Sequence, residues 1–485
     1  MTALLEPDLC VVGGGAAGLS VAAIAASFDA SVVLVERAAE NGTMGGECLN
    51  TGCVPSKAVI AAAATAQARR SSGRFGVAPG EPEVDYSALR AHVRGVIAAI
   101  RPNDTVERYR AMGVTVMTAH ARFLDRRTLA VGETRVRPRR IVLATGSRPL
   151  VPDIPGLADA PYLTNETVFD LIERPRRLIV VGGGPVGMEL AQAHRRLGAE
   201  VVVLSQSPAL PREDREVAEI ATAALRAEGV DLRETVEVIR IETADGGALR
   251  AIVRAGAGAT EETVEGSHLL VAAGRRPTVD GLDLDKAGIA HDAGGIRVDR
   301  RLRTSNRRVY AIGDCAAGGT GDLRFTHAAS HQAGLAVRDA LFRIPARLDP
   351  TAIPRVTYTD PEIATVGLSE EEAFRRDRKA RILRWPLAEN DRAQAERRTH
   401  GLIKAIVAGN GRVLGCSIAA PHAGELIAPW TLAVAKGLKA QDLAGTVMAY
   451  PTYSELTKRA AVEHLRPLSR NALVRAWLRL ARSLG

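Results

Sequence analysis

The feature that most constrains this chain is a glycine-rich turn between a strand and a helix, written twice. A short apolar strand at 9–12 runs into Gly13-Gly14-Gly15-Ala16-Ala17-Gly18, which opens an alanine-rich helix; a second strand at 31–35 ends at Glu36. About 170 residues later the pattern restarts, with a strand at 178–181, Gly182-Gly183-Gly184-Pro185-Val186-Gly187, another helix and a strand at 201–204. In such a turn the first glycine permits the tight bend. The second lets the backbone approach a pyrophosphate, and the third allows close helix–strand packing. A single glycine loop is often only a loop, but strand, helix and acid in register point to dinucleotide binding. Gly13, Gly15, Gly18 and Glu36 are the expected contacts of one dinucleotide, with Glu36 on a ribose hydroxyl. Gly182, Gly184 and Gly187 are those of a second.

The two folds end differently. The second closes on Ser205-Gln206-Ser207 with no carboxylate, so nothing there repels a 2′-phosphate. This favours NADPH, with Arg212 as its partner, and leaves NADH as the alternative. Further expectations are a helical stretch at 86–112, short strands within 128–142, and a separate α+β region from 352 onward. The fold class is α/β, with two Rossmann-like domains and a C-terminal α+β domain. The boundaries read 1–150 and 275–345 for the first nucleotide domain in two parts, 151–274 for the second, 346–465 for an interface domain, and 466–485 for a tail.

Composition removes several classes. With 485 residues, 46% of them hydrophobic and 25% charged, the chain can bury a large core without metal or disulfide staples. Five cysteines are too few for a secreted scaffold, so a reducing compartment, the cytoplasm, is expected. The net charge of +9 is mostly interleaved with acids, and no basic block alternates with aromatics, which argues against nucleic acid. Residues 9–28 are uncharged and long enough to span a bilayer, but glycines break them where the strand turns. Glu6 and Asp8 precede them with no base, unlike a secretory signal.

The stretch Gly45-Gly46-Glu47-Cys48-Leu49-Asn50-Thr51-Gly52-Cys53-Val54-Pro55-Ser56-Lys57 carries chemistry. Cysteines separated by four residues can close a disulfide across one turn of an emerging helix, whose N-terminus would lower a thiol pKa. Half a zinc site and two buried cysteines are the alternatives, and no second ligand pair stands at metal spacing. No resident metal is expected.

These residues, with Ala144-Thr145-Gly146-Ser147-Arg148-Pro149, Ala273-Gly274-Arg275-Arg276-Pro277, Tyr310-Ala311-Ile312-Gly313-Asp314, Thr359-Asp360-Pro361-Glu362 and Pro451-Thr452 with Glu455, closely resemble the pyridine nucleotide–disulfide oxidoreductases. Lipoamide dehydrogenase, glutathione reductase and mercuric ion reductase belong to that family, and the resemblance runs from residue 8 to about 461. It implies FAD in the first fold, with Asp314 on the ribityl chain and His120 and Ala121 at the adenine. Thr145, Gly146, Ser147, Gly274 and Gly313 match cofactor-binding positions, and Ser205 and Gln206 face the second nucleotide. Lys57 and Glu189 match a pair beside the flavin and nicotinamide. By the same resemblance electrons run from NAD(P)H through FAD to a Cys48–Cys53 disulfide. Cys53 is then nearer the flavin, and Cys48 is the thiol that meets substrate.

The disulfide-reducing branch carries a histidine before Pro-Thr, suited to proton transfer near neutrality. This chain has Tyr450, a poor base at pH 7. Mercuric ion reductase also has a tyrosine there; a packing residue at a dimer interface is the plainer alternative. That branch's N-terminal metal-carrier domain and C-terminal vicinal cysteines do not occur in this sequence. The expectation is a mercuric-reductase-like homodimer passing electrons to a metal ion or small disulfide. A dihydrolipoamide dehydrogenase-like component, a membrane-surface electron-transfer partner and a non-catalytic flavoprotein scaffold compete; Cys48, Cys53, Lys57 and Glu189 together speak against the last. In the tail, Leu473, Val474, Trp477, Leu478 and Ala481 recur at helical spacing, with Arg475, Arg479 and Arg482 on another side. Packing on its own dimer is the favoured reading of that helix, and a membrane surface the other.

Overall fold

A computed structural model describes residues 3–37, 44–244, 246–256, 260–319 and 323–483. The chain divides into two compact units, one of residues 1–182, 193–201 and 237–350, the other of 183–192, 202–236 and 351–485.

The first unit is built on a five-stranded parallel sheet in the order Val309–Ala311, Arg140–Leu143, Leu9–Val12, Val32–Glu36, Thr115–Thr118. Leu9–Val12 lies at its centre and every residue of it is buried, which is why that strand reads as a continuous apolar run. Helix Ala16–Ala26 follows at once, as the first glycine turn requires. Strands Leu129–Val131 and Thr134–Val136 form with Ala121–Phe123 an antiparallel meander beside this sheet. A second parallel set in the same unit orders Tyr162–Leu163, His268–Val271, Arg177–Val181. The antiparallel strands Glu237–Thr243, Leu249–Arg254 and Glu261–Gly266 form a separate three-stranded sheet.

The expected helix at 86–112 is broken. Helix Tyr86–Ile100 gives way to a tight turn, Arg101–Asp104, before helix Val106–Ala111 begins. Pro102 lacks the N–H that a continuous helix needs, and the Thr105 hydroxyl accepts the Arg108 N–H at 3.2 Å to start the next helix.

In the second unit residues 202–205, the end of strand Glu200–Ser205, pair in parallel with Asp231–Glu234, and helix Arg215–Ala227 connects them, capped by Asp214. The rest is α+β, a five-stranded antiparallel sheet ordered Arg355–Thr357, Glu362–Gly367, Val413–Ala420, Leu402–Val407, Arg381–Pro386. Buried Lys404 ties this sheet to the 202–236 stretch, its Nζ lying 2.8 Å from Asp214 and 2.8 Å from Glu370. Trp430 is fully buried among Ile403, Ile418, Leu426 and Leu456. Its indole N–H has no hydrogen-bond partner among the described residues, so it holds this core by packing alone. Trp430→Ala should therefore cost about 3–5 kcal/mol, the usual penalty for such a cavity, as chemical denaturation will measure.

Candidate active site

The first cradle is enforced sterically. At Gly13, with φ +112°, a Cβ would sit 2.3 Å from the Ala144 carbonyl oxygen, and at Gly18 one would sit 1.8 Å from that of Gly13. Gly15 is different: its nearest neighbour on the side of a Cβ is Gly46 Cα at 3.7 Å, so the protein itself does not demand glycine there. Helix Ala16–Ala26 starts with neither a side-chain cap nor an acid in its first turn, leaving its amides and positive dipole end to a ligand phosphate. Glu36 ends its strand and accepts the Gly14 N–H on Oε2. Burial pushes this carboxyl above its ordinary pKa, and the Gly14 bond works against that shift.

The other expected residues of this unit are each held by contacts of their own. Thr145 Oγ1 donates to the Thr278 carbonyl at 2.5 Å, and Gly146, at φ +70°, accepts the Thr278 N–H at 2.9 Å. Ser147 donates to Asp314 Oδ2 at 2.5 Å, and Gly313 donates to Gln332 at 2.7 Å. Exposed His120 donates from Nε2 to the Gly281 carbonyl, 2.9 Å away, beside buried Ala121. Gly274 holds φ +126° and accepts the Leu150 N–H. The glycine cradle, the open helix end and the strand-end acid fit an adenine dinucleotide such as FAD.

The second glycine turn repeats the first. Gly182 has φ +123°, and a Cβ there would lie 2.3 Å from the Ala272 carbonyl oxygen, matching Gly13 against Ala144. A Cβ on Gly183 would meet Ser205 Oγ at 2.3 Å, where Gly14 meets Glu36. A Cβ on Gly184 would meet nothing within 4 Å, so that side of the turn is open, and Gly187 is buried in its helix. Ser205 is buried and donates to the Ser207 carbonyl, while Gln206 is exposed.

The cysteines do not share one helical turn. Cys48 lies in helix Gly46–Asn50, and Cys53 is the first residue of helix Cys53–Ser71. Thr51 and Gly52 separate the two helices, with φ −143° and −127°. Both cysteines carry thiols, and their sulfurs interact. The hydrogen bond to Cys53 holds the Cys48 thiol well above its ordinary pKa, burial adds to this, and a bond from Thr326 opposes it. Thr326, first residue of helix Thr326–Ala340, also sits 3.4 Å from Cys53 Sγ. Exposed Cys53 is the first residue of a long helix, at the end where the unsatisfied amides and the positive dipole end lie. Half-buried Lys57 follows one turn later. Cys10, Cys315 and Cys416 are buried elsewhere; burial pushes Cys10 up to about 12 and raises the other two.

The comparisons decide the family. The description pyridine nucleotide-disulphide oxidoreductase matches residues 7–333, and the dimerisation domain of the same family matches 353–461.

This chain is a pyridine nucleotide-disulphide oxidoreductase.

It is 36% identical over 469 residues to a mercuric reductase of Acidithiobacillus ferrooxidans, covering 94% of this chain and 82% of the relative. A mercuric reductase of Streptomyces lividans is 35% identical, covering 94% and 95%. A dihydrolipoyl dehydrogenase of Thermus scotoductus is also 35% identical, covering 94% and 96%. Among solved structures, the Cu(II) complex of the HOCl-induced flavoprotein disulfide reductase RclA from Escherichia coli superimposes with a TM-score of 0.81 at 26% identity, covering 94% and 99%. The chain is accordingly an FAD-dependent NAD(P)H disulfide oxidoreductase. No helix among the described residues is long and apolar enough to cross a membrane.

Within this oxidoreductase the remaining expected residues lie in the second unit. Glu189 is buried and accepts the Tyr358 N–H at 2.9 Å. Tyr450 is 68% exposed and donates to Asp391 Oδ2 at 2.8 Å, a bond that raises its pKa further. Glu455 begins helix Glu455–Val462, with Arg459 3.8 Å away.

Two site residues went unassigned in the sequence although both stand in the quoted stretches. Glu47, next to Cys48, is gripped by both terminal nitrogens of Arg275. Arg275 Nε donates to Ser147 Oγ at 2.8 Å, and Asn165 donates to Glu47 at 2.8 Å. A continuous polar chain thus runs from Asp314 through Ser147 and Arg275 to the helix that carries Cys48. Arg275→Leu should destabilise the protein by about 1–3 kcal/mol by orphaning Glu47. Glu47→Gln in the same chain should recover part of that loss, because the charge left behind is gone. Additive melting data for the double variant would instead refute the coupling of the pair.

Proposed function

We propose that this oxidoreductase carries electrons from NADPH, by way of FAD and the Cys48/Cys53 dithiol, to a soft metal ion, with mercuric ion the first candidate. One observation carries the choice of acceptor: the position that holds a histidine base in the disulfide-reducing branch is Tyr450. Its phenol is held by Asp391 above the usual tyrosine range. A disulfide acceptor leaves as a dithiol and must collect protons. A soft cation taken up by two sulfurs displaces their protons, so its reduction needs no histidine shuttle. The mercuric reductases among the relatives support this reading, and the Cu(II) complex of the structural neighbour makes cupric ion a second probe.

Bound FAD supplies the two-electron relay between nicotinamide and dithiol. In this reading Gly13, Gly15 and Gly18 hold its pyrophosphate, Glu36 the ribose, His120 and Ala121 the adenine side, and Asp314 the ribityl chain. Ser147 orients Asp314. Thr145, Gly146, Gly274 and Gly313 shape the surrounding turns. Lys57 and Glu189 flank the flavin and nicotinamide. Gly182, Gly184, Gly187, Ser205 and Gln206 receive NADPH, where a neutral Ser205 tolerates the 2′-phosphate. The chain works as a homodimer in which Tyr450 and Glu455 are presented to the partner's dithiol.

NADPH oxidation should be driven by mercuric or cupric ion and abolished in Cys48→Ser and Cys53→Ser. Lipoamide and glutathione disulfide should be poor acceptors, and Tyr450→His should raise lipoamide turnover by up to about 10²–10⁴-fold. Vigorous lipoamide turnover by the wild type would overturn this reading in favour of a dihydrolipoyl dehydrogenase. Ser205→Glu recreates the acid of the first fold. It should lower kcat/KM for NADPH by about tenfold or more while sparing NADH, since like charges brought together cost several kcal/mol. Equal effects on both nucleotides would refute the NADPH assignment.

A further inference from the structure

Residues 466–485 lie beyond the matched dimerisation domain, which ends at 461. They hold five arginines and no acid, more than half of the chain's net charge of +9. Helix Ala472–Ser483 forms here, with Asn471 Oδ1 accepting the Leu473 N–H at 2.8 Å at its start. No residue of the helix is buried; Leu473 is 80% and Trp477 67% exposed. At 100° per residue Leu473, Val474, Trp477, Leu478, Leu480 and Ala481 share one face, and Arg475, Arg479 and Arg482 share the opposite one. Among the described residues the side-chain hydrogen bonds of Arg475 and Arg479 stay inside the tail, Arg475 Nε on the Ser469 carbonyl at 2.9 Å and Arg479 Nε on that of Arg475 at 3.4 Å.

We propose that this helix docks the enzyme on an anionic phospholipid surface, lying in the interface plane with Leu473, Trp477 and Leu480 turned toward the acyl chains. Charge selects that occupant. A purely basic polar face beside an aromatic and leucine face matches a lipid interface, where the ring sits at headgroup depth and the arginines meet phosphates. A second copy of the same helix would be a poor match, since its polar face carries the same arginines and no acid. The inference goes beyond the proposed reaction and does not depend on which acceptor is used.

The test uses the FAD-loaded full-length protein and vesicles of phosphatidylcholine, alone or with an equal part of phosphatidylglycerol. The protein should sediment with the anionic vesicles only and be released as salt is raised, because exposed charges are screened within about 10 Å at 0.1 M. Trp477 should become shielded from an aqueous quencher on binding, the signal of buried Trp430 and half-buried Trp385 being subtracted with the Trp477→Ser variant. Replacing Arg475, Arg479 and Arg482 together by Gln should lower partitioning by about 100-fold, at roughly fivefold per charge. Trp477→Ser should weaken it with charge unchanged, and both variants should keep the wild-type NADPH oxidation rate in solution. The idea is overturned if folded wild type stays in the supernatant or binds neutral and anionic vesicles alike. It is equally overturned if Trp477 is already shielded without lipid and deleting 471–485 lowers the melting temperature, the signature of packing on a second copy.

Discussion

Much of this molecule follows from two places where no Cβ fits. Gly13 against the Ala144 carbonyl and Gly182 against the Ala272 carbonyl are the same close approach, at the same 2.3 Å, in turns at matching points of the two folds. An alanine at either would have to move a buried strand or abandon a positive φ that L side chains rarely adopt. Because the approach is that tight, the following helix starts directly over the strand end, and its unsatisfied amides face the place where a pyrophosphate belongs. What then distinguishes the turns is one side chain at the end of the second strand, Glu36 in one and Ser205 in the other.

The dithiol depends on a different interaction. Glu47, the residue before Cys48, carries a half-buried carboxylate whose charge needs a partner. Arg275 meets that charge with both terminal nitrogens and spends its Nε on Ser147, which in turn holds Asp314. The group expected on the ribityl chain and the helix bearing the reactive sulfur are thus fixed by one hydrogen-bonded chain. A change in either is felt at the other, since partly buried charged networks tolerate few alternative arrangements.

How much of this was legible in the sequence follows from the range of each interaction. The glycine turns are local, so Gly13, Gly182 and their strands were readable from a dozen residues each. The cysteine pair was visible by spacing, but not the helix break at Thr51-Gly52 that puts the sulfurs on two helices. Nor was the break at 101–105 foreseen, because Pro102 stands amid an otherwise good helical pattern. The Glu47–Arg275 pair was beyond reach for a plainer reason: its members are 228 positions apart, and no periodicity connects them. The family itself, and with it FAD, came from motifs recognised as a set, a resemblance the family matches bear out.

The three cysteines outside the dithiol are all buried, and burial holds each thiol above its ordinary pKa. Burial also keeps oxidants and soft metals from reaching these sulfurs, and that inaccessibility is what separates them from Cys48, whose thiol is raised as well. Under the proposed reading, in which the acceptor is a thiol-seeking metal ion, every sulfur of the enzyme is a target for its own substrate. By confining accessible sulfur to Cys48 and Cys53, the fold keeps such a reagent out of its core and leaves it the pair at which the proposed reaction would turn it over.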